Sequence, residues 1–427
     1  MAQDKGVRNI ALGCTTLLLA DREGLRRQTY SCKQCASCRE WHWSDPNLPG
    51  FEPGVTKSGF VICPVFRHKE GFESDYARGK VRLAEGLIDG KLPASPRVTE
   101  KLFECTQCAS CSEYCPQTRV DKLDPSETIR AARGLVVELG AALPRGLESM
   151  THRPPRPRPL PGRWIPEAGK GQSGAPLAFF PGCVFGDSFK QPSIAHAMLA
   201  ILEHLGEPFQ VLSEGWCCGY PAFAVGDTGK ATDLARQAAT RLEALGVRSL
   251  VVSCAWGYRM FSREYSVLLG RPLGVEVLHA TEFLERQIVA GRLRPGKSWE
   301  TLATYQDPCQ LGRRCGVYEP PRSLARSIPG LTLVEMEENR EAAMCSGGGG
   351  GVAAAYPELA AAIGSTRLEQ AESTGARVIL TACPYCRSNL LRAVAHRGSS
   401  LQVVDVIEAV AMSSGLTDPA AFETRGD

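Results

Sequence analysis

The chain has 427 residues, 43% of them hydrophobic, and a formal net charge of +3 at pH 7. That length exceeds one ordinary hydrophobic core and predicts two or three domains, and a charge so close to balance argues against a nucleic-acid partner. The longest apolar stretch near the start, Thr16–Ala20 with a few neighbours, falls far short of the roughly 20 residues of a membrane span. No signal-peptide pattern opens the sequence, so the expectation is a cytoplasmic protein with no transmembrane segment of its own. Eighteen cysteines are the departure from average composition. Without a secretory signal, in a chain long enough to bury a core, and at metal-ligand spacings, they point to metal rather than to disulfides.

Residues 1–150 hold two cysteine runs joined by helix-like segments such as Asp121–Leu139, with little that reads as strand. The second run is Cys105-Thr-Gln-Cys108-Ala-Ser-Cys111-Ser-Glu-Tyr-Cys115-Pro116. Three cysteines two residues apart can each reach a different iron of one cube, and a fourth followed by proline leaves the loop to ligate the other cluster, the ferredoxin pattern. The first run is Cys32-Lys-Gln-Cys35-Ala-Ser-Cys38, its distal member displaced to Cys63-Pro64 by an insertion carrying Trp41, His42 and Trp43. The expectation is two [4Fe–4S] clusters with crossed ligation: Cys32, Cys35, Cys38 and Cys115 for one, Cys105, Cys108, Cys111 and Cys63 for the other. His42 then belongs to a loop over the first cluster. A zinc-stabilised scaffold is the alternative, but it leaves two CxxCxxC runs, each with a distal Cys-Pro, unexplained.

Residues 151–175 contain Arg153-Pro-Pro-Arg-Pro-Arg-Pro-Leu-Pro161, a semi-extended linker that cannot continue a helix or a central strand. From Pro176 the pattern alternates. Leu177–Phe180, Ser249–Val252, Thr301–Tyr305 and Val378–Thr381 read as strands, and Ser193–Leu205, Lys230–Leu245 and Pro357–Ser373 as helices. This half also repeats: Cys183, Cys217 and Cys254, with their neighbouring residues, recur as Cys309, Cys345 and Cys383. Two pseudo-equivalent α/β lobes are predicted, 176–297 and 298–427, the boundary near Arg294–Glu300.

Each lobe carries four cysteines: Cys183, Cys217, Cys218 and Cys254, then Cys309, Cys345, Cys383 and Cys386. They fall where strands end, the edge at which open α/β sheets build sites. Gly347–Gly351 would let backbone N–H groups approach a cluster there, and Cys383-Pro-Tyr-Cys386 would open a helix whose N-terminus favours thiolate. One or two further iron–sulfur clusters follow. Cys14 and Cys315 are left over, Cys315 being close in sequence to Cys309.

With Gly71-Phe-Glu-Ser, Arg78-Gly-Lys80, Asp307-Pro-Cys309-Gln-Leu-Gly-Arg313 and Val317-Tyr-Glu-Pro-Pro-Arg322 added, the chain resembles the cysteine-rich iron–sulfur subunits of the heterodisulfide reductase superfamily. Its order is similar to the D subunit of the membrane-linked enzyme, and to the iron–sulfur subunits of glycolate oxidase and anaerobic glycerol-3-phosphate dehydrogenase. The resemblance implies a multidomain fold: a mostly α-helical two-cluster ferredoxin domain followed by two α/β CCG lobes. It also implies that a complete lobe has five cysteines and binds a noncubane cluster where a disulfide is cleaved. Here Gly257 stands in place of the last cysteine of lobe one, and Ser346 in place of the second member of the pair in lobe two. The expected function is therefore an electron-transfer subunit of an anaerobic oxidoreductase complex. It would carry single electrons between a redox partner, a flavoprotein or a membrane cytochrome or quinone-linked subunit, and a quinone, flavin or thiol acceptor. Any membrane association would come through such a partner. The alternative is a catalytic disulfide reductase with its active cluster in lobe two.

Overall fold

The computed structural model describes residues 22–41, 60–148, 174–182, 192–212 and 216–418. Cys14, His42, Trp43, Cys183 and nearly all of the 151–175 segment lie outside the described residues. The chain forms two compact units. Unit one comprises 1–151 with two excursions, 221–228 and 341–363; unit two comprises 152–220, 229–340 and 364–427. The excursions fall within the spans expected of the lobes.

Unit one is helical, with a two-residue antiparallel ribbon of β1 (Glu40–Trp41) and β2 (Phe60–Val61). Its longer helices are Arg22–Tyr30, Ala77–Ile88, Pro96–Phe103 and Pro125–Glu138. The last two start alike: a proline occupies the first turn, where its missing N–H costs nothing, and Ser95 or Asp124 caps the N–H of Val98 or Glu127. Leu25, Tyr76, Ala84, Leu102, Phe103, Ile129 and Val136 form the core, joined by Leu147 and by Val225 of the first excursion. Close approach requires glycine. A Cβ on Gly134 would stand 2.5 Å from the Gly226 carbonyl oxygen, and one on Gly350 2.3 Å from that of Cys105.

Unit two contains two four-stranded parallel sheets. The first is β3 (Leu177–Phe180), β4 (Phe209–Val211), β5 (Ser249–Val252) and β6 (Glu276–His279), in the order β4-β3-β5-β6. The second is β7 (Thr301–Gln306), β8 (Leu331–Val334), β9 (Val378–Thr381) and β10 (Gln402–Asp405), in the order β10-β9-β7-β8. In both sheets the first strand of the lobe lies between the second and third, and the fourth closes the edge. The central strands β3, β5, β7 and β9 are almost wholly buried, as parallel strands covered on both faces must be. Cys254 caps helix Ala255–Arg259 two residues after β5, and Cys383 caps helix Pro384–Arg397 two residues after β9.

Candidate iron–sulfur centres

The two runs of unit one share one backbone conformation. Gln34 and Ala36 (φ 58° and 64°) and Gln107 and Ala109 (φ 55° and 63°) are left-handed. Four non-glycine residues in that region, at matching places in two loops, mark strain held for a purpose. Such turns aim successive N–H groups inward and make the anion-binding concavities used by iron–sulfur sites.

Around these loops lie two cavities. One is lined by Cys32, Cys35, Cys38 and Cys115; the other by Cys63, Cys105, Cys108 and Cys111. Cys63 and Cys115 reach the opposite loop because each is followed by proline at the first position of a short helix, Pro64–Arg67 or Pro116–Val120, that leads the chain away. Among the described residues no three His, Cys, Asp or Glu side chains converge on a single-ion site. Thiols spread round a cavity fit a multi-iron cube instead. Ala77, the first residue of its helix, lines both cavities.

Burial pushes the thiols up: Cys63 to about 12, Cys111 well above the ordinary cysteine value, with neighbouring thiols adding to it. Backbone N–H groups oppose this, from Arg78 to Cys38 and from Gln117 and Thr118 to Cys115. Hydrogen bonds of this kind favour cluster reduction. Two buried cations beside these thiols carry no ligand spacing that would mark them in the sequence. Lys80 lines the second cavity, its Nζ donating to the carbonyls of Lys101 and of Glu104 (2.9 Å). Arg133 donates to the carbonyls of Leu102, Phe103, Cys105, Ala224 and Gly350 at 2.7–3.2 Å.

In unit two the carboxyl ends of the two sheets bring Cys254 and Cys383 into hydrogen-bonding contact. Burial opposes charge on Cys383. It is outweighed by hydrogen bonds from Cys254, from the Cys386 thiol and from the N–H groups of Tyr385 and Cys386, which hold Cys383 well below the ordinary cysteine value. Cys254 is raised correspondingly, first by its bond to Cys383 and then by burial, with Cys218 adding to it. His279, at the end of β6, is fully buried and pulled down to about 4 by that burial, while Cys383 opposes the shift. Cys309 accepts from Gln310 Nε2 (3.5 Å); Gln310 in turn accepts from Arg259, which is paired with Glu264. The Asp307 carboxylate takes both Nη groups of Arg322 (2.7 and 2.8 Å), fixing the turn that carries Cys309. Cys315 is buried and pushed up to about 11.

Cys217 accepts from the Gly219 N–H (3.4 Å), and Cys345, which lies in the 341–363 excursion of unit one, accepts from the Gly347 N–H (3.3 Å) in the same way. The glycine run expected to serve a lobe cluster thus divides its work. Gly347 donates to a thiol, whereas Gly350 and Gly351 let the loop close on Cys105 and Leu147. At Gly257 a Cβ would meet Val252 Cγ1 at 3.1 Å, so packing has filled the place of a fifth cysteine in lobe one.

Residues 28–118 match the 4Fe-4S dicluster domain, and residues 177–261 and 303–391 each match the CCG cysteine-rich domain. The chain is 31% identical over 405 residues to the D subunit of the dihydromethanophenazine:CoB–CoM heterodisulfide reductase of Methanosarcina acetivorans, covering 91% of this chain and 94% of that protein. It is 28% identical over 358 residues to the B subunit of the fumarate reductase (CoM/CoB) of Methanothermobacter marburgensis (82% and 70% covered). It is also 28% identical over 341 residues to the EtfAB:quinone oxidoreductase of Syntrophomonas wolfei (73% and 46% covered). Fold and site together define an iron–sulfur oxidoreductase protein with one dicluster domain and two CCG domains. The chain belongs to the CCG iron–sulfur family, of the type found as the D subunit of heterodisulfide reductase. No helix among the described residues is long and apolar enough to cross a membrane.

Proposed function

We propose that this protein is the electron-transfer subunit of an oxidoreductase complex, carrying single electrons between a flavoprotein or quinone-linked partner and a quinone, flavin or thiol/disulfide acceptor. The observation that carries the reading is the pair of cavities, each ringed by four thiols from both cysteine runs. Cys32, Cys35, Cys38 and Cys115 would hold one [4Fe–4S] cluster, and Cys63, Cys105, Cys108 and Cys111 the other, each supplying a one-electron couple. This chain's own contribution is to fix the thiols and aim N–H groups at them.

In the lobes, Cys309, Cys345, Cys383 and Cys386, and Cys183, Cys217, Cys218 and Cys254, are the candidate ligands of further clusters. The names of the relatives span a heterodisulfide, fumarate with CoM/CoB, and a quinone. A carrier that serves different acceptors accounts for that spread. The second reading is a disulfide reductase with its active cluster in the second CCG lobe, and the hydrogen bonds that favour thiolate at Cys383 support it.

Iron and acid-labile sulfide of the anaerobically purified protein test the first reading: at least eight of each per chain is expected, from two four-iron cubes, and zinc without sulfide overturns it. Turnover of a disulfide at about 1 per second or faster would move the second reading ahead.

A further inference from the structure

Five successive carbonyls at the end of helix Pro96–Phe103, leading directly into Cys105, are taken by two buried cations. Lys80 holds those of Lys101 and Glu104; Arg133 holds those of Leu102, Phe103 and Cys105. Both side chains are almost inaccessible, at 1% and 0%; burial lowers the Lys80 ammonium from its ordinary value, with Arg133 adding to that, while negative charge at Cys105, Cys63 and Glu104 opposes the shift and favours the cation. The helix end presents its unpaired carbonyls, a partial negative charge, where cations are favoured. The same groove holds Lys101, 2.6 Å from Asp75 and 3.2 Å from Glu104, and Lys69, 2.8 Å from Glu104. Glu70, 4.0 Å from Lys101, is exposed and screened. Lys101 and Lys69 are thus matched by Asp75 and Glu104, and what marks the side of the cavity lined by Cys63, Cys105, Cys108 and Cys111 is the pair of cations seated on carbonyls, Lys80 and Arg133.

The other cavity differs. Its lining cation, Arg78, is partly exposed and spends two donors on the Glu73 carboxylate (2.8 and 2.9 Å), a third going to the Gln34 carbonyl. Lys33 also lines it but sits on the exposed loop, and Cys35 is exposed to solvent. Charge paired and open to water is worth little at a neighbouring centre, whereas charge in a low-dielectric interior is felt strongly.

We infer that the Lys80–Arg133 pair makes the Cys63/Cys105/Cys108/Cys111 centre the electron sink of the dicluster domain, fixing flow from the exposed Cys35-containing centre inward. This rests on the proposal that both cavities hold [4Fe–4S] clusters. The step is a one-electron exchange: one centre is oxidised, the other reduced, and no bond forms or breaks. A centre that gains negative charge on reduction is favoured by fixed positive charge beside it, so the inward centre takes the electron first.

The test is an anaerobic reductive titration of the whole protein followed by electron paramagnetic resonance, with Cys35→Ser, which alters one cluster's signal, assigning the two sets of lines. In the wild type the signal insensitive to Cys35→Ser should appear first. Lys80→Gln keeps an amide donor for the carbonyls but removes the charge. It should lower the reduction equilibrium of that centre at least tenfold, 59 mV for one electron, with the other centre moving by less than a third of that. Lys80→Arg should restore the order. Equal shifts at both centres, or first reduction of the Cys35-containing centre, overturn the inference. Should Lys80→Gln lose its clusters, the wild-type order of reduction still decides. Two signals in the wrong order defeat only this inference, whereas absence of cluster signals defeats the ligand assignment beneath it.

Discussion

Arg133→Met should damage unit one severely. The methionine keeps the apolar stem against Phe103, over whose ring the guanidinium lies at 4.8 Å, but removes five hydrogen bonds. The Phe103 carbonyl retains the Cys105 N–H at 2.8 Å. The carbonyls of Leu102, Cys105, Ala224 and Gly350 each lose a charged donor. Leaving a buried acceptor unsatisfied costs about 1–3 kcal/mol, and with partial relaxation and water entry the total should be about 3–5 kcal/mol, the range of a broken buried network. For a unit of this size that is a fall in Tm of roughly 6–20 °C, at roughly 2–4 °C per kcal/mol. Because Ala224 and Gly350 belong to the two excursions, hydrogen exchange of 221–228 and 341–363 should quicken, while that of helix Ala77–Ile88 changes little. Arg133→Lys, with three donors in place of five, should recover only part of the loss. Anaerobic thermal denaturation followed by circular dichroism provides the assay. A Tm within about 2 °C of wild type, a shift too small for even one lost buried bond, would refute the reasoning.

Cys115→Ala should abolish the paramagnetic signal that also disappears in Cys38→Ala, and Cys63→Ala the one lost in Cys111→Ala; a spectrum grouping Cys115 with Cys111 would contradict the cavity geometry. Gly257→Cys should destabilise by about 1–2 kcal/mol through the 3.1 Å approach to Val252, whereas the nearly isosteric Ser346→Cys should fold normally and alter only the cluster signal; chemical denaturation and resonance spectra check both. Asp405 is raised well above the ordinary carboxylate value, chiefly by burial and then by Glu408. Its contribution to stability is therefore largest at low pH and is lost as pH rises above the ordinary value through the folded one. Asp405→Asn, which keeps an oxygen for the Ile407 N–H, should flatten the fall of the urea midpoint as pH rises above the ordinary carboxylate range; an unchanged slope would remove Asp405 as its source.

The central strands could be read because burial on both faces favours short runs of apolar and β-branched residues: Leu177–Phe180, Ser249–Val252 and Val378–Thr381 are the strands as formed, and β7 extends one residue beyond the expected Thr301–Tyr305. The edge strands gave no such signal. Phe209–Val211, Glu276–His279, Leu331–Val334 and Gln402–Asp405 mix polar with apolar residues, and the last three each expose a residue to water. Helices came within a few residues at each end, as with Pro192–Leu205 against Ser193–Leu205. The two excursions into unit one carry no compositional mark. What holds them is Arg133 and the closeness of Gly134 to Gly226 and of Gly350 to Cys105, each a contact between residues far apart in sequence.

The cysteines were legible because ligand spacing is local, whereas the groups that tune them come from elsewhere in the chain. Arg78-Gly-Lys80 shows why. A Cβ on Gly79 would stand 2.1 Å from the Glu73 carbonyl, so only glycine lets the first turn of helix Ala77–Ile88 sit against the preceding turn. Residues two apart on a helix point roughly 200° apart. Seated there by Gly79, Arg78 must face one cavity and Lys80 the other, with Ala77 as the wall they share. A three-residue motif thereby distributes unequal charge to two otherwise similar centres: one cation neutralised by Glu73 near water, the other held in the interior by carbonyls. Two loops with the same sequence Gln-Cys-Ala-Ser-Cys and the same left-handed turns would otherwise hold near-equivalent clusters, and electrons would have no reason to move from one to the other. The asymmetry that gives the pair a direction lies in this helix and in Arg133, not in the cysteines.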